Sequence, residues 1–144
     1  MSLPNALAER ALILAPLGRD GPLAAGLLKE AGYGATVCPD LASFCRELEI
    51  GVGAAIVTDQ ALRDADLRPL IGFLGRQPSW SDLPVILLTQ RGDGAGRDPA
   101  AAQLAEALGN VIFLERPLHP ANLVGAVRTA LRGRRRQYEA RARL

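Results

Sequence analysis

The sequence predicts a single α/β domain of three layers, a parallel five-stranded sheet with helices on both sides. Three observations predict it. Five short apolar runs alternate with five amphipathic stretches. The runs are continuously apolar, which is how strands covered on both faces read. The length of 144 residues, with 49% hydrophobic and 22% charged, suits one domain with its own core. A chain this size buries about two-thirds of the surface it exposes unfolded, so neither disulfides nor a structural metal are needed to hold it.

The elements follow in order. Leu12-Ile13-Leu14-Ala15 is the first strand, ended by Pro16-Leu17-Gly18. Asp20 is placed to cap a helix in which Leu23, Leu27, Leu28 and Ala31 share a face, and Gly32 and Gly34 break it. Ala35-Thr36-Val37-Cys38 is the second strand. Pro39-Asp40 opens a helix with Leu41, Phe44, Cys45 and Leu48 inward, bracketed by Gly51 and Gly53. Ala54-Ala55-Ile56-Val57-Thr58 runs straight into Asp59. Leu67, Leu70, Ile71 and Leu74 mark the third helix, closed by Pro78 and the Ser79-Trp80-Ser81-Asp82 turn. Pro84-Val85-Ile86-Leu87-Leu88-Thr89 is the clearest strand, followed by a flexible Gly-rich loop over Arg91–Asp98. Ala100–Leu108 reads as the fourth helix and Val111–Glu115 as the fifth strand. Pro120 starts the fifth helix, with Leu123, Val127 and Leu131 inward. Leu123, Val127, Leu131 and Tyr138 trace a stripe that weakens past Gly133, so this helix is expected to run on into a linker or coiled coil. The division is an N-terminal extension over 1–9, the domain over 10–132, and a basic helical extension or linker to a following domain over 133–144.

Several function classes are excluded. Cys38 and Cys45 make neither a disulfide framework nor a zinc site, and both are expected to pack as small apolar groups in a reducing compartment. No stretch approaches the ~18 apolar residues of a membrane span. The start, Met1-Ser2-Leu3-Pro4-Asn5, lacks the basic and apolar regions of a signal peptide. A cytoplasmic location is expected. Seven Arg stand against Glu139 in residues 128–144, a net charge of +6, which leaves −4 for residues 1–127. Arg134-Arg135-Arg136 would suit nucleic acid or an anionic surface. No recognition helix or set of stacking aromatics accompanies it, so the linker reading is preferred and nucleic acid is not expected.

In open α/β sheets, reaction and ligand sites lie beyond the carboxyl ends of the strands. Those ends carry Ala15-Pro16, Thr58-Asp59, Thr89-Gln90 and Glu115-Arg116-Pro117. In this pattern, over roughly residues 10–132, the chain resembles the receiver domains of response regulators. The resemblance implies the flavodoxin- and CheY-like strand order 2-1-3-4-5. It places Asp59 at the phosphoacceptor position, Thr89 and Phe113 at the switch positions, and Arg116 where the family has Lys. It further implies a cis peptide before Pro117, which an X-Pro bond makes accessible at only about 0.5–1 kcal/mol.

Two departures matter. Ala15 and Pro16 replace the family's acidic pair. Magnesium is a hard cation held by carboxylates, water and phosphoryl oxygens, so with Asp59 as the only carboxylate its binding is expected to be weak or absent. Arg116 keeps the charge of Lys, but as a planar fork. The chain is therefore similar to pseudo-receivers, such as the receiver-like modules at the front of some sensor histidine kinases.

Each motif also has a plainer reading. Asp59 can be a strand-end residue capping the next turn, paired with Arg116 and inactive as a phosphoacceptor. Such a pair would hold one conformation constitutively. Thr89 and Phe113 can be a strand-end hydroxyl and a core aromatic. The Gly92–Gly96 run lacks the Lys-Ser/Thr of a phosphate loop. His119 reads as a loop residue. Trp80 is expected to pack over the turn before the fourth strand.

The expected function is a non-catalytic receiver-like signalling and protein-interaction module of a two-component system, at the N-terminal part of a sensor histidine kinase. It is not expected to be an enzyme; any kinase activity would lie outside it. The expected partner is an output or kinase domain of the same or another protein, with a homodimer possible through the fourth helix, fifth strand and fifth helix. The alternatives are a functional receiver phosphorylated on Asp59 and a flavodoxin-like small-ligand binder. Against the latter, Pro16-Leu17-Gly18-Arg19-Asp20 lacks the Ser/Thr-rich character of a flavin phosphate site.

Overall fold

The computed structural model describes residues 7–16, 18–63, 65–89 and 99–143; the expected Gly-rich loop over Arg91–Asp98, with its Gly92–Gly96 run, lies outside them. The strands are β1 (Ala11–Leu14), β2 (Ala35–Cys38), β3 (Ala54–Thr58), β4 (Val85–Thr89) and β5 (Val111–Glu115). They pair in parallel in the order β2-β1-β3-β4-β5. The helices are α1 (Asp20–Glu30), α2 (Leu41–Ile50), the short α3 (Asp59–Leu62), α4 (Arg68–Gly75), α5 (Pro99–Leu108) and α6 (Pro120–Ala142).

The register explains the continuous apolar runs. Ile13, Ile56, Ile86 and Ile112 lie in one row across the sheet and pack with Leu28, Leu123 and Val127 of α1 and α6. The next row, Cys38, Leu14, Val57, Leu87 and Phe113, points to the other side and packs with Phe44, Leu48, Leu70 and Leu108 of α2, α4 and α5. Successive strand residues face opposite ways, so both parities must be apolar. Cys38 and Cys45 are both free thiols; Cys38 is buried, Cys45 only partly so.

The helix starts show how local chemistry is used. Asp40 caps α2, accepting a 2.7 Å bond from the Ser43 backbone, with Ser43 completing a capping box. Thr58 caps α3, its hydroxyl accepting from the Ala61 backbone at 3.1 Å. This extra helical turn was not expected. Asp20 departs from its expected role as a cap: Arg19 is the N-cap and Asp20 is the first helical residue. Its carboxylate is drawn away by Arg116, a stronger charged partner.

The C-terminal helix also departs from expectation. It does not leave the body at Gly133. Arg134 is only 6% exposed. The Tyr138 hydroxyl donates to the Ala8 carbonyl at 2.8 Å, with the Val52 carbonyl at 3.2 Å. The Gln137 side chain accepts from the Asp82 backbone at 2.8 Å and donates to its carbonyl at 2.9 Å. Arg135 pairs with Glu9. Apart from Tyr138, which the stripe includes, these contacts are polar or charged and leave no mark on it. Trp80 sits edge-on to Tyr138, ring centres 5.8 Å apart. Among the described residues, no helix is long and apolar enough to cross a membrane.

Two predictions follow from this packing. A methyl at Gly53 would lie 2.8 Å from both the Ala8 carbonyl oxygen and the Glu9 Cα, whereas one at Gly26, inside α1, would touch nothing within 4 Å. Gly53→Ala should destabilise by about 1–3 kcal/mol. Gly26→Ala should stabilise by about 0.4–1 kcal/mol. Urea midpoints at unchanged slope measure both. Second, burial pushes the Tyr138 phenol above its ordinary value of 10.0, against the opposing charge of Arg134. A raised folded pKa gives stability that is whole below the unfolded value and lost as pH rises above it. Wild type should therefore lose stability above pH about 10 more steeply than Tyr138→Phe, read from chemical denaturation at a series of alkaline pH values.

Candidate functional site

The carboxyl edge of the sheet gathers Asp59, Arg116 and Asp20. Asp59 is at the first position of α3, directly after β3, with 1% exposure. Its Oδ1 accepts from the Gln60 backbone at 2.8 Å. Its Oδ2 takes a 3.2 Å bond from Arg63, one turn on. The Arg116 Nη1 lies 4.0 Å from Oδ1. Two guanidinium groups thus face one buried carboxylate.

Arg116 follows β5 and is anchored by its own backbone, whose N–H donates to the Thr89 carbonyl at 2.9 Å. The Arg116–Pro117 peptide is cis. The side chain reaches across the sheet end. Its Nε donates to the Asp20 Oδ2 at 2.6 Å and its Nη2 to the Gln60 Oε1 at 3.4 Å. A guanidinium has five N–H donors in a planar fork, so one group can serve all three partners; an ammonium offers a single nitrogen. Asp20 and Arg116 are each largely shielded, with side-chain exposures of 26% and 19%.

Ala15 is buried and Pro16 exposed at the end of β1. Gly21 lets α1 come close there, since a Cβ on it would lie 3.3 Å from the Ala15 carbonyl oxygen. Thr89 is 1% exposed, and its hydroxyl has no hydrogen-bond partner among the described residues. It shares a sheet face with Leu87, whose row neighbour is Phe113. Phe113 is partly buried in the core on that face. Exposed His119 precedes α6.

The structure therefore brings Asp59, Thr89 and Arg116 to one edge and sets Phe113 in the core below. It adds Asp20, read from the sequence only as a helix cap, and Gln60 and Arg63, which the sequence reading passed over. The i,i+4 spacing of Asp59 and Arg63 was a legible signal. Nothing local linked Asp20 to Arg116, 96 residues away. Asp59 is consequently not the only carboxylate at this edge.

Among the described residues, the donor set of this edge does not fit magnesium. Ala15 and Pro16 offer no side-chain oxygen. The carboxylates of Asp59 and Asp20 already face guanidinium groups, and a divalent cation between them would face those charges. Among the described residues, no group of three His, Cys, Asp or Glu could hold a metal ion.

If Arg116 is the keystone of this edge, double-mutant cycles will rank its partners. The Asp20→Asn/Arg116→Gln cycle should give a coupling on the order of 1 kcal/mol, and the Asp59→Asn/Arg116→Gln cycle a smaller one. Urea unfolding of the single and double variants gives both values. Zero coupling to Asp59 would remove that contact from the site.

No protein-family model matches the sequence, and no curated protein matches it. Solved structures do resemble it. Full-length FixJ from B. japonicum superposes with a TM-score of 0.70 at 23% identity, over 92% of this chain and 62% of that one. NtrX from Brucella abortus gives 0.72 at 18% identity, over 91% of this chain and 29% of that one. A response regulator receiver domain protein from Clostridium thermocellum gives 0.67 at 18% identity, over 85% of this chain and 94% of that one. The chain thus spans less than two-thirds of FixJ and NtrX and nearly all of the separate receiver domain. At these identities the likeness establishes the fold: this chain is folded as response-regulator receiver domains are.

Proposed function

We propose that the chain is a receiver-like signalling and protein-interaction module of a two-component system, working in the cytoplasm without magnesium-dependent phosphorylation. Its partner is a kinase or output domain, in the same protein or another, and a sensor histidine kinase is the setting its sequence most resembles. One observation carries the reading: the Asp59 carboxylate is 1% exposed and faced by Arg63 and Arg116, while Ala15 and Pro16 supply no metal ligand. Phosphoryl transfer depends on in-line access to the acceptor and on cations that neutralise developing charge. A buried acceptor with no divalent-ion site among the described residues lacks both. What such a module can offer a partner is a fixed surface. The surface proposed is that of α5, β5 and α6, where β5 is an edge strand of the sheet.

Intact mass after incubation with magnesium and acetyl phosphate tests this, with Asp59→Asn alongside. Folded wild type should carry no phosphoryl adduct. An adduct on wild type and none on Asp59→Asn would make the chain a working receiver.

A further inference from the structure

The opposite edge of the sheet holds a second site. There the last turns of α6 lie against the segments leading into β1, β3 and β4, and a cavity of about 480 Å³ opens between them. That volume is in the range of small-molecule sites, about 300–1,000 Å³. Phe73, Ile50, Trp80 and Tyr138 supply apolar walls, and Arg134 and Arg141 supply charge. Ile50 is 59% exposed, unusual for a large apolar side chain in this protein.

The two arginines are short of counter-charge. Arg134 is nine-tenths buried, and its Nη1 donates only to neutral oxygens, Ser81 Oγ and Gln137 Oε1, each at 2.7 Å. Its Nε has no hydrogen-bond partner among the described residues. Its guanidinium lies 5.0 Å from the Tyr138 ring and 5.9 Å from the Trp80 ring. Arg141 is exposed and packs over Trp80 at 5.0 Å. Neither arginine has a carboxylate within ion-pair distance among the described residues, whereas Arg76, on the same rim, is matched by Glu49 at 2.9 Å. Ring contacts attract a cation without neutralising it, and a buried guanidinium without an anion is an expensive arrangement.

We propose that this cavity binds a small organic anion, an apolar body carrying a carboxylate, with the carboxylate between Arg134 and Arg141 and the body against Phe73 and Ile50. The site is independent of Asp59 and lies at the other end of the strands. A ligand there touches α6 and the turn before β4 together, so its binding and the docking of the α6 tail are one equilibrium.

Trp80 is the single tryptophan of the chain, so its emission reports on this cavity alone. The test titrates the whole chain with phenylacetate, its neutral counterpart phenylacetamide, and acetate, at constant ionic strength. Phenylacetate should give a saturable change in Trp80 emission. Phenylacetamide and acetate should each bind about tenfold more weakly or worse, the loss expected when a charge-assisted contact or the apolar body is removed. Arg141→Gln, an exposed change that leaves the hydrogen bonds of Arg134 intact, should weaken phenylacetate by about the same factor while the ligand-free protein still unfolds cooperatively, with at most the small loss expected from its contact with Trp80. No saturable response to phenylacetate overturns the proposal. So does equal binding of the acid and the amide, equal binding of acetate, or an Arg141→Gln variant that binds as wild type does.

Discussion

A parallel sheet has no face to give to water, and the rest of this molecule follows from that constraint. Each strand must be apolar on both parities, so Ile13 and Leu14 are neighbours in sequence and belong to different cores. Helices must cover both sides. The buried polar clusters gather at the two edges where strands begin and end. The carboxyl edge holds Asp59, Arg116 and Asp20; the opposite edge holds Trp80, Tyr138 and Arg134. The charged and aromatic clusters of this molecule lie at those two rims.

At the carboxyl edge, the decisive feature is a guanidinium that bridges toward two carboxylates from different elements. An edge built for a divalent ion keeps its carboxylates open and borrows its positive charge from solution. Here the charge belongs to the chain. Arg116 bonds Asp20 directly and stands 4.0 Å from Asp59, while Arg63 meets Asp59 from the helix that Asp59 begins. In the proposed reading the edge therefore has one arrangement, which does not wait on an ion or a phosphodonor.

Much of the fold was legible because the physics behind it is local. Strand runs such as Val85–Thr89 need only their own residues to declare burial on both faces. The Asp40–Ser43 cap is written within four residues. Asp59, Thr89 and Arg116 could be placed because strand ends bring distant residues to one edge. Two features were not fully legible. Asp20 looked like a cap, since the partner that claims it lies 96 residues away. The docking of α6 beyond Gly133 was legible only in Tyr138, which continued the stripe, because Arg134 and Gln137 hold the helix by hydrogen bonds and ring contacts. An apolar periodicity does not register such contacts.

The most direct measurement of the central claim is a magnesium titration of the whole chain, followed through the backbone amide resonances of Asp59, Gln60 and Arg116. If the guanidinium holds the place of the ion, these resonances should move through the millimolar range no further than they do with sodium chloride at matched ionic strength. A saturable displacement of the same three amides by magnesium alone would show that the carboxylates remain open to a divalent cation, and would contradict the claim.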